Sequence, residues 1–374
     1  MTKIGASIYL HLTTLEQLTS YTQLLGENKV QIIFTTLINF KPTEKEQLKK
    51  LIVLTTTAKK YNMDVYVDIN QEFIDNFKLN ITKRDDFIKW FKNQGFTGIR
   101  CDEGIAIQEQ AKLSQNKLNF KIIINGSHAI EEVERLLLQY NANAKNLISC
   151  YNFYPQRYTG ADIEFFSLNQ AESIMNKIPF ASFVTLLGKD KVGPWAYNDN
   201  LPALEMHRDW PLTTQIRHYV ALCLDMIIVA NQFLTEDDLV QMNNIDYETL
   251  SLNIQLSKNV TNNEKTIIFD DNIHIVRPDL AQDLIRSSMP RITYKDLSIP
   301  NQRTNEWLEI GDVVILNNDA QNYRGELHII TNKIKNDGIR NVVGKLAPKD
   351  LNFIPYLVSN RPFKFIGGNN HEKI

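Results

Sequence analysis

Cysteine is scarce in this 374-residue chain: only Cys101, Cys150 and Cys223 occur, an odd number at wide spacings. That argues against a disulfide framework or a clustered zinc site and fits a reducing compartment. The seven histidines are also dispersed. No two stand close enough to suggest a ligand pair, so no metal or other cofactor is expected. Charge of one sign is lacking too. Lysine and arginine number 41 against 43 aspartates and glutamates, a net charge of −2, which removes bulk electrostatics as a route to nucleic acid. Long hydrophobic runs are missing: nothing approaches the roughly 18–20 apolar residues of a membrane span. The opening MTKIGASIYL lacks the apolar core of a signal peptide. The expectation is a cytoplasmic protein with neither membrane nor nucleic acid as partner. Nothing in these features sets an oligomeric state.

What is present is ordinary globular composition, with 43% hydrophobic and 22% charged residues. The length suits one large domain and a smaller one, since single cores stop growing near about 250–300 residues. Eight short runs rich in Ile, Val and Phe read as strands buried on both faces. They are 4–10, 30–37, 65–70, 98–102, 121–125, 147–154, 181–186 and 226–230. Amphipathic stretches lie between them. Thr43 precedes Glu46 in a capping-box pattern, and Thr235 opens TEDDLV with acids in the first turn. Residues 128–140 carry Ile130, Val133, Leu136 and Leu137 at helical period. Eight strand–helix units in about 240 residues predict an α/β fold, a closed (β/α)8 TIM barrel. An open doubly wound sheet is the alternative.

After Asn243 the rhythm changes. The polar stretch 257–265 reads as a linker, and from Thr266 the runs TIIFDD, IHIVRP, GDVVILN, GELHIITN, NVVGKL and FIPYLV read as strands, with Gly311, Gly325 and Gly338 at turns. The expected division is a barrel over 1–256, a linker over 257–265 and a small, mostly β domain over 266–374.

Side-chain parity then points to a site. In a barrel strand alternate residues face the lumen. Val65, Val67 and Ile69 want the helix layer, which turns Tyr66, Asp68 and Asn70 inward. The same reasoning turns Arg100 and Asp102 inward, gives Asn152 and Tyr154 one parity, and ends the fifth strand on Asn125. Asp68, Asn70, Asp102, Asn125, Asn152 and Tyr154 would thus gather at the C-terminal mouth, where barrel enzymes place their chemistry. Each can also be read as a cap for the helix that follows its strand. Arg100, one layer below Asp102, is expected to pair with it.

The connection after the seventh strand, 186–211, is far longer than the roughly 2–6 residues usual in such units. It carries Lys189, Lys191, Trp195, Tyr197, Glu205, His207 and Arg208. Aromatics stack on sugar rings, Arg and His hold anions, and Glu transfers protons. A plain structural loop is the other reading, and for His207 a hydrogen-bonding or capping role stands beside catalysis.

The rim segments VDIN (67–70), IRCDEG (99–104), INGS (124–127) and NFYPQRYTG (152–160), with GP (193–194) and LPALEMHR (201–208), resemble the MupG family of 6-phospho-N-acetylmuramidases. The resemblance covers essentially the whole chain. It implies a cyclophilin-like β-barrel as the second domain. It also implies hydrolysis of N-acetylmuramic acid 6-phosphate β-linked to N-acetylglucosamine, in cytoplasmic salvage of cell-wall fragments. A phosphorylated disaccharide would then be the small-molecule partner.

Glycoside hydrolysis usually needs an acid to protonate the leaving oxygen and a second carboxylate as nucleophile or base. Asp68 and Asp102 are the expected catalytic pair, with Glu205 a third candidate. Asn70, Asn125, Asn152 and Tyr154 would orient the sugar, and Arg208 with His207 or Lys189 would hold an anion. A route assisted by the substrate's acetamido group, with Asp102 and Glu103 as the polarising pair, stays open. So do a phosphosugar lyase or epimerase on the same barrel and a non-catalytic phosphosugar sensor.

Overall fold

The computed structural model describes residues 2–38, 40–102, 104–127, 131–188, 191–269, 274–302 and 305–367. Eight strands close a parallel barrel in sequence order: β1 (Lys3–Ser7), β2 (Ile32–Thr36), β3 (Asp64–Ile69), β4 (Gly98–Cys101), β5 (Lys121–Asn125), β6 (Leu147–Cys150), β7 (Phe180–Val184) and β8 (Met226–Val229). β8 pairs back onto β1, with Ile4 opposite Ile227, so no edge is left open. Helices follow the strands, among them α1 (Leu15–Glu27), α2 (Lys45–Lys60) and α3 (Gln71–Asn76). The barrel interior is filled by Ile32, Phe34, Tyr66, Ile123, Ile148, Cys150, Ala181, Phe183, Met226 and Ile228. Every one lies at the parity that alternation assigns, and each is buried against the others rather than lining a pore.

Local signals explain several boundaries. α1 starts at a reciprocal cap, in which the Thr14 hydroxyl accepts from Gln17 N and the Gln17 amide oxygen accepts from Thr14 N. Thr235 caps Glu236–Asn243 in the same way through Asp238. The capping box expected at Thr43 does not form: α2 begins after Glu44, whose carboxylate instead accepts from Lys41 N. Of the stretch read as a helix over 128–140, residues 128–130 lie outside the described residues. Glu131–Glu134 is α-helical and Arg135–Gln139 is a π-turn.

Two compact units divide the chain: 1–219 with 223–245, and 246–374 with 220–222. The second holds a seven-stranded sheet, β9 (Leu250–Leu256), β10 (His274–Ile275), β11 (Leu284–Ser287), β13 (Asp312–Leu316), β14 (Leu327–Ile330), β16 (Arg340–Leu346) and β17 (Pro362–Ile366), ordered β10-β17-β9-β16-β13-β14-β11. A short ribbon pairs β12 (Trp307–Leu308) with β15 (Ile334–Lys335). β9 sits inside this sheet, parallel to β17 and antiparallel to β16, so the sequence expected to close the barrel domain before 257 is paired in the second unit. Two runs read as strands are helical. TIIFDD falls partly in the helix Asn262–Ile268, opened by a Thr261–Glu264 cap, and FIPYLV falls largely in a 3-10 segment, Pro348–Tyr356. In both, a cap or an internal proline outweighs the β preference of Ile and Phe.

Candidate active site

A cleft of about 480 Å³ opens at the C-terminal ends of the barrel strands. Its chemistry centres on Arg100, inward-facing on β4 and 6% exposed. One of its terminal nitrogens, Nη1, donates to Asp68 Oδ1 at 2.8 Å and lies 3.5 Å from Asp102 Oδ2. Nη2 donates to Asn152 Oδ1 at 2.6 Å. Residues from β3, β4 and the end of β6 are thereby tied to one guanidinium. β3 supplies Asp68 because Val65, Val67 and Ile69 are buried toward the helices, leaving Tyr66 and Asp68 for the lumen. The expected Arg100–Asp102 pairing is present, and Asp68 makes the shorter contact.

Burial dominates the Asp68 carboxyl. It pushes the pKa up to about 6, against the lowering pull of Arg100 and with a further push from Asp102. Asp102 stands just past the end of β4, its side chain 36% exposed. One acid is therefore mostly buried, with its pKa raised, while the other meets solvent at the mouth.

The walls come from the first two strand ends and the long loop. Tyr9 and His11 follow β1, Glu44 and Gln47 lie at the start of α2, and Trp195 comes from the loop after β7. Tyr9 is fixed by donating to Ala230 O at 2.7 Å, while its own amide donates to Gln232 Oε1. Burial lowers the His11 pKa, partly offset by a hydrogen bond with the Pro194 backbone. An aromatic chain runs along one side: Phe34 to Phe183 at 5.3 Å, Phe183 to Phe153 at 4.9 Å, and Phe153 to Trp195 at 5.8 Å between ring centroids. Trp195 is 55% exposed, so a ring face remains open to a ligand. Tyr9, His11, Glu44 and Gln47 escape the parity argument because they stand beyond strand ends. The signal available for them was position alone, in the connections that follow the first two strands.

The other candidates are placed elsewhere. Glu205, His207 and Arg208 do not line the cleft; Glu205 and Arg208 hold two loops together. Arg208 is 1% exposed and donates to both carboxylate oxygens of Glu205 at 2.7 Å and to the carbonyls of Tyr154, Gln156 and Asp199. Glu205 in turn accepts from the backbone of Tyr158 and Gly160, each at 2.8 Å. Burial would raise its carboxyl, but Arg208 and these two amides outweigh it and hold the pKa at about 2. Gly160 is required there, since a Cβ would stand 2.6 Å from Glu205 Oε2. His207 is fully buried, its Nε2 2.7 Å from His218 Nδ1, and burial keeps the ring neutral.

Asn70 accepts from Phe73 N as the cap of α3, the reading held open for it. Asn125 accepts from Ser127 N and Oγ, closing a turn. The Tyr154 backbone pairs with Pro202, and this residue does not line the cleft. Lys189 lies outside the described residues, as does Glu103. Of the ten candidates, Asp68, Asp102 and Asn152 come together.

A closed eight-stranded barrel with an arginine-bridged carboxylate pair at its mouth defines the class of the molecule. Residues 4–244 match the model of the N-terminal domain of 6-phospho-N-acetylmuramidase, and residues 250–366 match that of its C-terminal domain. The chain belongs to the 6-phospho-N-acetylmuramidase family. An uncharacterised protein from B. cereus, solved by crystallography, is similar over 98% of this chain and 100% of its own, with 29% identity and a TM-score of 0.86. A conserved protein of unknown function from Enterococcus faecalis shares the fold over 98% of this chain and 97% of its own, at 23% identity and a TM-score of 0.69. No curated protein matches the chain. No helix among the described residues is long and apolar enough to cross a membrane.

Proposed function

We propose that this protein is a 6-phospho-N-acetylmuramidase that hydrolyses the β-glycosidic bond between N-acetylmuramic acid 6-phosphate and N-acetylglucosamine, in cytoplasmic recycling of cell-wall sugars. The observation that carries the reading is the pair Asp68 and Asp102 bound to one nitrogen of Arg100 at the barrel mouth. Asp68, with its pKa raised to about 6, serves as the general acid that protonates the leaving oxygen. Asp102, at the solvent side, is the carboxylate that attacks the anomeric carbon. The oxygens facing Arg100 Nη1 lie no farther apart than 2.8 Å and 3.5 Å laid end to end. That bound applies to this oxygen pair, at the scale over which paired catalytic carboxylates act on one glycosidic bond.

Asn152 holds Arg100 from the far side, and the Phe153–Trp195 wall offers a stacking face for a sugar ring. Arg208 and His207 are committed to protein partners and are set aside as anion ligands. Among the described residues His11 is the one basic side chain lining the cleft that is not tied to a carboxylate, and it is assigned to the substrate's anionic side.

The test is incubation of the purified protein with the 6-phosphorylated muramyl–glucosaminyl disaccharide and with its unphosphorylated twin, products being read by mass spectrometry. Release of both sugars from the phosphorylated compound alone is the expected result. No cleavage of either by folded protein overturns the reading. Rupture of the lactyl ether in place of the glycosidic bond would make the protein a lyase.

A further inference from the structure

The second unit has a cleft of its own, about 520 Å³, that the barrel chemistry does not use. Its floor is one face of the sheet β11-β14-β13-β16. Arg286 on β11 stands directly opposite His328 on β14, and Arg340 on β16 is opposite Leu316 on β13. His328 is 4% exposed. Its Nε2 lies 3.2 Å from Glu326 Oε1, which fixes the ring with that nitrogen protonated and donating to the carboxylate. Burial together with the two flanking arginines keeps this imidazole neutral against the pull of Glu326. Nδ1 is then left as an acceptor, and it has no hydrogen-bond partner. Neither has Arg286 Nε, a donor beside it, although Arg286 Nη2 is held by the backbone and carboxylate oxygens of Asp279.

Buried polar atoms are nearly always paired, so a lone acceptor and a lone donor beside the same cleft need an explanation. A hydroxyl answers both needs, because it donates one hydrogen bond and accepts others. The charges lining the cleft balance: Arg286 and Arg340 against Asp283 and Glu326. Such a lining gives no net attraction for a dianion. The remaining wall is apolar, with Leu284, Leu316 and Ile334 among it. Tyr323 stands at the rim, 57% exposed and braced by Arg291, whose guanidinium carbon lies 5.2 Å from the ring centroid. Balanced charge, paired hydroxyl needs and an exposed aromatic face together describe a sugar ring. The geometry points to a second binding site, on the β-rich unit, for an uncharged carbohydrate of one or two rings.

The experiment is hydrogen-exchange mass spectrometry on the full chain with N-acetylglucosamine titrated to about 20 mM, a range that covers weak monosaccharide affinities. N-acetylglucosamine is expected to protect peptides spanning 281–287 and 323–330. N-acetylglucosamine 6-phosphate, its charged counterpart, is expected to protect them less. Arg286→Met and Tyr323→Ala, the latter at a surface residue that leaves folding intact, are each expected to weaken this protection at least tenfold in concentration. Neither variant should change disaccharide cleavage in the barrel. Absence of protection at the highest concentration, protection confined to barrel peptides, stronger protection by the phosphorylated sugar, or undiminished protection in both variants would each overturn the site.

Discussion

At the barrel mouth burial and Arg100 act on Asp68 in opposite directions, and Arg100 is the smaller influence. It lowers the Asp68 pKa while burial and Asp102 raise it, and the balance stands at about 6. If Asp68 is the proton donor, kcat/KM falls about tenfold per pH unit above that value, because the working form is the protonated one. A pH–rate profile checks this, and a flat profile from pH 5 to 8 would remove Asp68 from that role. Arg100→Met strips away the lowering influence, so the alkaline limb should move to higher pH. Asp68→Asn and Asp102→Asn should each lose at least about 100-fold in kcat. Full activity in both variants would sink the pair. The same shift leaves a mark on folding. The folded chain holds the Asp68 proton more tightly than the unfolded one, so stability drops as pH rises from 3.8 through about 6. Thermal melts across that window should show this slope in the wild type and a smaller one in Asp68→Asn. These residues were legible because a strand's two-residue period constrains them: Asp68, Arg100 and Asp102 follow from which neighbours must be buried. Tyr9, His11, Glu44 and Gln47 were not legible, because their direction is set by chain that has left the sheet.

Past the strand ends, the connections carry their own architecture. The segment after β6 and the long loop after β7 are joined by backbone hydrogen bonds, Tyr154 N to Pro202 O, Ala161 N to Ala203 O and Glu205 N to Ala161 O. Arg157, paired with Asp199 and Asp209, clamps the outer side, and Arg208 with Glu205 clamps the inner side. Removing a buried cation from such a set leaves its carboxylate and carbonyls unpaired. Arg208→Met is expected to cost about 3–5 kcal/mol, read from urea unfolding. An unchanged midpoint would show that the clamp is dispensable. The sequence announced this loop by its length and its charged residues. It did not say that Glu205, His207 and Arg208 point away from the cleft, because parity has no force where there is no pleat. The C-terminal elements failed for a related reason: runs such as TIIFDD are apolar enough for either state, and the Thr261–Glu264 cap that decides for helix lies upstream.

For the molecule as a whole, the eight-fold alternation of the barrel was readable because each strand repeats one pattern, apolar on both faces and short. The change of rhythm after Asn243 falls at the edge of the first unit, but the linker reading of 257–265 did not foresee that β9 joins a sheet whose other strands lie up to about a hundred residues later. This has a testable consequence for fragments. A polypeptide beginning at Asp246 keeps β9 between β17 and β16, and one beginning at Ser257 loses the strand that joins them. The first should unfold cooperatively by circular dichroism and the second should not. Equal cooperativity in both would show that β9 is a passenger. The clamp around Arg208 has a further meaning for descent. Its bonds are made almost wholly to backbone carbonyls and to one carboxylate turned away from the cleft. Frame and furnishing are therefore separate. A lineage that keeps the frame can exchange Trp195 or Phe153 for other side chains without rebuilding the loops that carry them.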